Sequence, residues 1–513
     1  MDENREDKSS NLGKAGQGAS SRRWIFVLAG ALIVILALVI GLNVGGLREE
    51  ILWRISPPRI ESLAVLPFEN LSGDPAQDYV AKGMTAELTD TLGQIGTLRV
   101  IARTSVTQYK KAPKPLPEIA RELKVDALVR AGVLRSADRV RLTTDLFHAP
   151  TNRRLWGQTY ERDLRDALTL QAEVCRGIAL AIRAKLTPEQ NARLTANRPV
   201  NPQAYEAYLR GVYGGEPGKA EAYLTQAIQL DASFAPPYVA LAGRSYLSNY
   251  FTAIPPRDNY PKVKEYAQKA LSLDPALAEA HYYLALVNHE YDWDFVEAEK
   301  EFKRALELNP NASEIRHLYS HFLLCMGRPE ESLSEDRRAE ETDPADAELI
   351  ACLTWHSAAT GRHDEAEEVG QRALQMGSSY PRLFLVWVYE QRGLYDEAIV
   401  ELQKAVTDWG GDVFPTAALG HAYAVAGQEA AAREVLEKLL ARSKTEYVSA
   451  YEIATVYAGL GDKDRAIEWL EKAYEERSNA LARFRMDPRL RSLHSDPRFQ
   501  DLLRRMNFPP DRQ

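Results

Sequence analysis

The stretches GRHDEAEEVGQRAL (361–374), GLYDEAIVELQKAV (393–406) and GDKDRAIEWLEKAY (461–474) share one design: a glycine, an acidic residue three positions on, an alanine two positions after that, and a second small residue seven further. Self-similarity of this kind decides a fold before any other motif is weighed. The second small position recurs at Ala270, Ala305, Ala339, Ala373, Ala405 and Ala473, with Leu439 in one place, at separations of 35, 34, 34, 32, 34 and 34 residues. A glycine at 327, 361, 393, 427 or 461 can take the left-handed conformation that closes one helix. Asp364, Asp396 and Asp464 favour the start of the next. Ala366, Ala398, Ala432 and Ala466 fall where two helices must touch, and the Asp-Pro or Asn-Pro pairs at 274–275, 309–310 and 343–344 end the second helix. The pattern predicts helical hairpins stacked in series, about eight of them over 200–481, with looser units before residue 276 and a capping segment over 482–513.

These positions, together with AEAHYYLA at 278–285, resemble the tetratricopeptide repeat family. The resemblance implies a superhelix whose concave face is lined by the first helix of each unit and binds a protein or peptide partner. Carried onto this chain, the inward positions are Tyr282, His317, His321, Trp355, Trp387, His421 and Tyr451. Of these, His321, Trp355, Trp387 and His421 lie 34, 32 and 34 residues apart. Aromatic side chains along a groove are anchors for a partner, or else fill the space between hairpins. His317 and His321, one helical turn apart, have two of the ligands a metal needs, but neither a third ligand nor a general base stands in EIRHLYSHFLL (314–324), so no metal site is expected.

Residues 60–190 read differently. Strands are predicted at SLAVLPF (62–68), LRVIAR (98–103), DALVRAGVLRS (126–136), RVRLTTDLFHA (139–149) and RRLWGQTYERDL (153–164), with helices near 76–95, 117–123 and 164–185. Alternation in RVRLTTDLF suits a sheet with one wet face, and residues 137–139 suit a hairpin joint. LAVLPFENLSGDP (63–75) carries Glu69, Asn70, Ser72 and Asp74, residue types found in catalytic loops, but the same residues make turns for backbone reasons. This stretch, with GMTAELTDTL, LRVIARTSV and LWGQTYERDL, resembles the periplasmic α/β domain related to the amino-terminal domain of TolB and found in CadC-like regulators and beside class III adenylate cyclases. In those relatives it follows one membrane helix and precedes tetratricopeptide repeats, and the resemblance implies no catalytic role for the loop.

The run at 24–47 carries no charge over 24 residues, which as a helix measures roughly 36 Å, enough to cross a bilayer. Arg22 and Arg23 before it place the amino terminus in the cytoplasm and the rest of the chain in the periplasm or outside the cell. Residues 1–23 read as a disordered tail and 48–59 as a linker. Gly41 and Gly45 form a GxxxG pair through which a homodimer can pack.

With 64 Lys and Arg against 72 Asp and Glu, the net charge of -8 excludes a nucleic-acid partner. Cys175, Cys325 and Cys352 have neither disulfide parity nor metal spacing. No phosphate loop, kinase signature, nucleophile elbow or HExxH run occurs, and no cofactor is implied. The expected fold is α+β and multidomain: a single transmembrane helix, a mixed α/β domain, and an all-α repeat superhelix. The expected function is a non-catalytic membrane-anchored scaffold or sensor. The alternatives are an accessory subunit of a separately encoded adenylate cyclase or kinase, and an unrecognised enzyme.

Overall fold

The computed structural model describes residues 59–136, 138–195, 199–251 and 254–509. The expected tail, membrane span, GxxxG pair and nearly all of the linker lie outside the described residues. Among the described residues, no helix is long and apolar enough to cross a membrane.

The chain begins with strand β1 (Ser62–Val65), whose four side chains are all buried. A strand so uniformly apolar must be covered on both faces, which is the signature of a parallel sheet interior. It pairs in parallel with β3 (Arg99–Ile101) on one side and β4 (Ala127–Ser136) on the other. The sheet continues antiparallel through β5 (Arg139–His148) to β6 (Arg153–Asp163), with the short β2 (Glu69–Asn70) beside β4. Ser136 pairs with Arg139 at the expected hairpin joint, and β5 alternates buried and exposed residues along most of its length.

Helices α1 (Asp78–Gly93), α2 (Arg103–Lys111) and α3 (Leu116–Leu123) precede β4; α4 (Ala167–Ala181) and α5 (Pro188–Thr195) follow β6. Val106, Tyr109, Ile119 and Leu123 cover Ala64, Ile101 and Leu128, while α1 packs against α4. No apolar periodicity announces α2, a polar run of RTSVTQYKK in which only Ser105, Val106 and Tyr109 are buried. Its anchor is tertiary, because the Ser105 hydroxyl donates to Asp343, 238 residues away, at 2.6 Å.

The loop at 69–76 spends its polar groups on itself. Ser72 Oγ donates to Asn70 Oδ1 at 2.6 Å, Asn70 Nδ2 donates to the Asp74 carbonyl at 2.8 Å, and the Ala76 N–H donates to Asp74 Oδ1 at 3.0 Å. It is a turn that starts a helix.

Eight antiparallel helix pairs follow among the described residues: α6 and α7 (Pro202–Tyr213, Ala220–Leu230), α8 and α9 (Pro236–Phe251, Pro256–Leu273), α10 and α11 (Ala278–Val287, Phe295–Leu308), and α12 and α13 (Ser313–Cys325, Pro329–Thr342). The series continues with α14 and α15 (Ala347–Ala359, His363–Gln375), α16 and α17 (Pro381–Gln391, Tyr395–Asp408), α18 and α19 (Val413–Val425, Glu429–Arg442), and α20 and α21 (Ala450–Gly459, Lys463–Glu475). Gly361 has φ +75°, and the following Arg362 N–H reaches back to the Ser357 carbonyl at 2.9 Å, a helix end that an L side chain would strain. The alanines at 366, 398, 432 and 466 are 0 % exposed, so even one added methyl group would wedge the paired helices apart. Helices α9, α11 and α13 end on the residues just before Asp274, Asn309 and Asp343.

The α/β domain docks on the turns between hairpins. Asn311 accepts from the Val100 N–H at 2.9 Å and donates to the carbonyls of Gly93 and Leu98 at 2.8 and 2.9 Å. The Ala102 N–H donates to the Thr342 carbonyl at 2.8 Å. Replacing Asn311 with alanine strands one N–H and two carbonyls and is expected to cost about 2–3 kcal/mol of stability, read by urea unfolding.

Candidate functional site

Two regions of the superhelix interior carry chemistry. The first lies where α1 faces the opening helices of the repeats. Glu87 on α1, Glu279 on α10 and Glu314 on α12 lie within electrostatic reach of Asp90 on α1, with the Arg103 guanidinium opposing them. The rings of Tyr208, Tyr213 and Tyr283 share the space. Asp90 and Glu314 are exposed to solvent, and Glu87 and Glu279 are half-buried. Enclosure first, and then the neighbouring carboxylates, push the Asp90 carboxyl up to about 8. Burial pushes Glu87 up to about 7 against the pull of its hydrogen bonds from Tyr205, at 2.7 Å, and from Gln171.

The sign follows from proton binding. Glu87 holds its proton in the folded chain at pH values where the unfolded chain has lost it, so its contribution to stability falls as pH rises from about 4.5 to about 7. Glu87→Gln is therefore expected to stabilise the protein by about 1–2 kcal/mol at pH 8, an effect that fades by pH 5 in thermal unfolding.

The second region is the stripe expected to line an open groove. It is not open. Tyr282, His317, Trp355, Trp387, His421 and Tyr451 are all buried, and His321 is partly so. The structure joins four of them into one run: His317 and His321 have ring centroids 4.4 Å apart, His321 meets Trp355 at 5.0 Å, and Trp355 meets Trp387 at 6.4 Å with Phe384 stacked beside it. The other three stand apart. Tyr282 donates to Glu314 at 3.3 Å, His421 Nδ1 lies 3.4 Å from the Glu390 carboxylate, and Tyr451 donates to Asp487 at 2.7 Å.

Packing between hairpins buries Trp355 and Trp387, and the carboxyl-terminal segment adds cover at Tyr451 and places the Arg483 charge near His321. After α21 the chain forms tight turns at Asn479–Met486 and Pro488–Leu493, then α22 (Pro497–Arg505). The first turn packs on α12 and on the π-helical turn Asn288–Asp292, and the second on α20. Arg483 lies over the Phe414 ring at 5.1 Å and 3.4 Å from Glu452, and its charge reaches His321, Cys325 and Tyr380. One side chain thus stands among residues of the fourth, sixth, seventh and eighth hairpins. Arg489 bonds Glu452 at 3.1 Å and Asp487 at 2.7 Å, all three being at most 3 % exposed. Phe508 contacts both Phe484 and Phe295, and Arg477 lies over Trp293, tying the end of the chain back to the third hairpin.

Sequence reasoning missed Arg483, Asp487 and Arg489, and it missed Glu87, Asp90, Glu279 and Glu314. Leu481, Phe484, Leu490, Leu493 and Phe499 were the available signal for the former, since a solvated tail has no use for so many large apolar side chains. The register Glu279, Glu314, spaced like the repeat itself, was the signal for the latter.

Comparison with known proteins finds matches to parts of the chain. Tetratricopeptide repeat family models match residues 413–438 and 448–479. The chain is 32% identical over 242 residues to the putative adenylate cyclase 3 of Rhizobium meliloti, a match covering 45% of this chain and 41% of that protein. Among solved structures, a tetratricopeptide repeat protein from Parabacteroides merdae is 17% identical with a TM-score of 0.35, covering 48% of this chain and 96% of its own. A human IFIT1 dimer with m7Gppp-AAAA is 16% identical with a TM-score of 0.40, covering 66% and 80%. The family models fall on the last two hairpins, which match tetratricopeptide repeats, and several earlier helix pairs are similar to them in their glycine, alanine and proline positions.

Proposed function

We propose that the protein is a non-catalytic scaffold, anchored in a membrane through residues 24–47 with its bulk on the periplasmic or outer side, that takes a positively charged segment of a partner protein into the recess between α1 and the repeats. The observation that carries this is that Glu87, Glu279 and Glu314, from α1, α10 and α12, lie within electrostatic reach of Asp90 and that all four are at least partly exposed. Crowded carboxylates raise one another's proton affinity, and an entering Lys or Arg side chain relieves that repulsion. Tyrosine rings beside them offer flat faces for the aliphatic stems and cationic heads of such residues. The TolB-like and CadC-like resemblance of the α/β domain fits an anchored outer portion, with inward coupling left to a partner helix or a dimer.

Fluorescence anisotropy of a labelled Lys/Arg-rich peptide and its Glu-rich counterpart tests the reading. The basic peptide is expected to bind at pH 8, to weaken at pH 5.5 as the carboxyls protonate, and to bind at least ~10-fold more weakly to the Asp90→Asn, Glu314→Gln double variant. Equal binding by the variant, or equal capture of the acidic peptide, overturns it.

The match to a protein named as an adenylate cyclase supports a second reading, in which the chain is an accessory subunit of a separately encoded cyclase. Its chain spans 41% of that relative. Cyclic AMP output of such a cyclase, assayed with and without this chain, decides it: an unchanged output removes the reading.

A further inference from the structure

The structure brings a third ligand to the histidine pair on α12. Cys352, one hairpin further on in α14, places its thiol beside His317 and His321, and the donor atoms of the three side chains lie within 4.8 Å of one another. No sequence spacing reveals this, because the cysteine is 31 residues from His321 and meets it only through hairpin stacking.

The hydrogen bonding of the three side chains points the same way. The buried Nε2 of His321 has no hydrogen-bond partner, and His317, 8 % exposed, turns its Nδ1 toward the Asp336 carboxylate. Buried polar nitrogens are ordinarily paired, so an unpaired imidazole nitrogen on His321 beside a second imidazole and a thiol is a donor set suited to a metal ion. Behind them stands a fully buried carboxylate. Asp336 Oδ1 lies 3.7 Å from His317 Nδ1, and Asp336 also accepts from Ser320 and His356. Carboxylates placed behind metal-binding histidines fix ring orientation and raise ligand basicity.

We propose that His317, His321 and Cys352 bind a divalent transition metal ion of the zinc type, leaving the fourth tetrahedral position to water or to a group from a partner. Two imidazoles and one thiolate suit a borderline-soft ion and disfavour calcium or magnesium, which take oxygen ligands. Zn–N and Zn–S bonds of about 2.0 and 2.3 Å require donors about 3.5 Å apart, so the side chains close by roughly 1 Å on binding. Cys352 loses its thiol proton to solvent as the Cys–metal bond forms, and no electron is transferred. The site lies one turn along α12 from Glu314 and does not depend on the binding of a basic peptide.

Cobalt(II) reports both geometry and sulfur ligation. The full chain, reduced and stripped with a chelator, is expected to take up about one Co(II) with tetrahedral visible bands and a thiolate charge-transfer band in the near ultraviolet, both abolished by added Zn(II). Cys352→Ser is expected to lose the charge-transfer band, whereas Cys325→Ser and Cys175→Ser keep it. His321→Gln weakens Co(II) binding, and Asp336→Asn weakens it by ~10–100-fold. Circular dichroism of each variant checks that it is folded, and because Cys352 and His321 are partly exposed, two variants report independently on the ligands. Absence of saturable uptake by the wild-type chain, or a charge-transfer band that survives in Cys352→Ser, overturns the proposal.

Discussion

Arg489→Ala is expected to destabilise the protein by about 3–5 kcal/mol, because it leaves two buried carboxylates, Asp487 and Glu452, without their shared cation. In the intact chain burial raises the Glu452 carboxyl despite the guanidinium, while at Asp487 the bonds from Arg489 and Tyr451 outweigh burial and hold it below the usual range. Without Arg489 both groups must take up protons on folding, so the deficit should be larger at pH 8 than at pH 5. Urea unfolding at the two pH values measures this directly. A loss below about 1 kcal/mol, the range of exposed ion pairs, would show that the 479–493 segment does not sit where Arg489 is enclosed.

Trp355→Ala carries the next largest expectation, about 3–5 kcal/mol, since the indole is 5 % exposed and wedged between His321, Phe384 and Trp387. The comparison that gives the number meaning is between filling and anchoring. A tryptophan waiting in an open groove for a partner would cost little to remove from the unbound protein, and its loss would fall on binding alone. Here the indole is interior structure, so thermal unfolding without any partner should already register the full effect. A nearly neutral Trp355→Ala would restore the open groove.

The repeats were legible because each of their devices is local. Gly393 and Gly461 announce left-handed helix ends that they occupy at φ +74° and +76°, and Ala398 and Ala466 announce close helix contacts in which they are fully buried. The strands of the α/β domain were legible for the same reason, through the apolar run at 62–65 and the alternation of β5. Helix α2 was not, since its reason for existing is Asp343 and the sheet beneath it, both remote in sequence.

The family resemblance proposed His321, Trp355, Trp387 and Tyr451 for a groove lining, and their spacing carries no information about what those side chains meet. That depended on the neighbouring hairpins for Trp355 and, for Tyr451, on Asp487 of the segment that follows the last repeat, expected only as a cap over 482–513. The histidine pair shows the same limit from the other side: a search for ligands along α12 finds none beyond His317 and His321, while stacking delivers Cys352 from the next hairpin. Contacts between repeats are set by the superhelix, and a one-dimensional reading sees them only as a spacing near 34.

The chain's own carboxyl-terminal segment packs on α12 and α20 as part of the repeat fold. Native-state amide hydrogen exchange on the intact protein tests it most directly. The account predicts that peptides covering 479–493 exchange as slowly as those of α12 and α20, in one cooperative unit with the last hairpin. Exchange of 479–493 at the rate of a free peptide, while α12 and α20 stay protected, would contradict it.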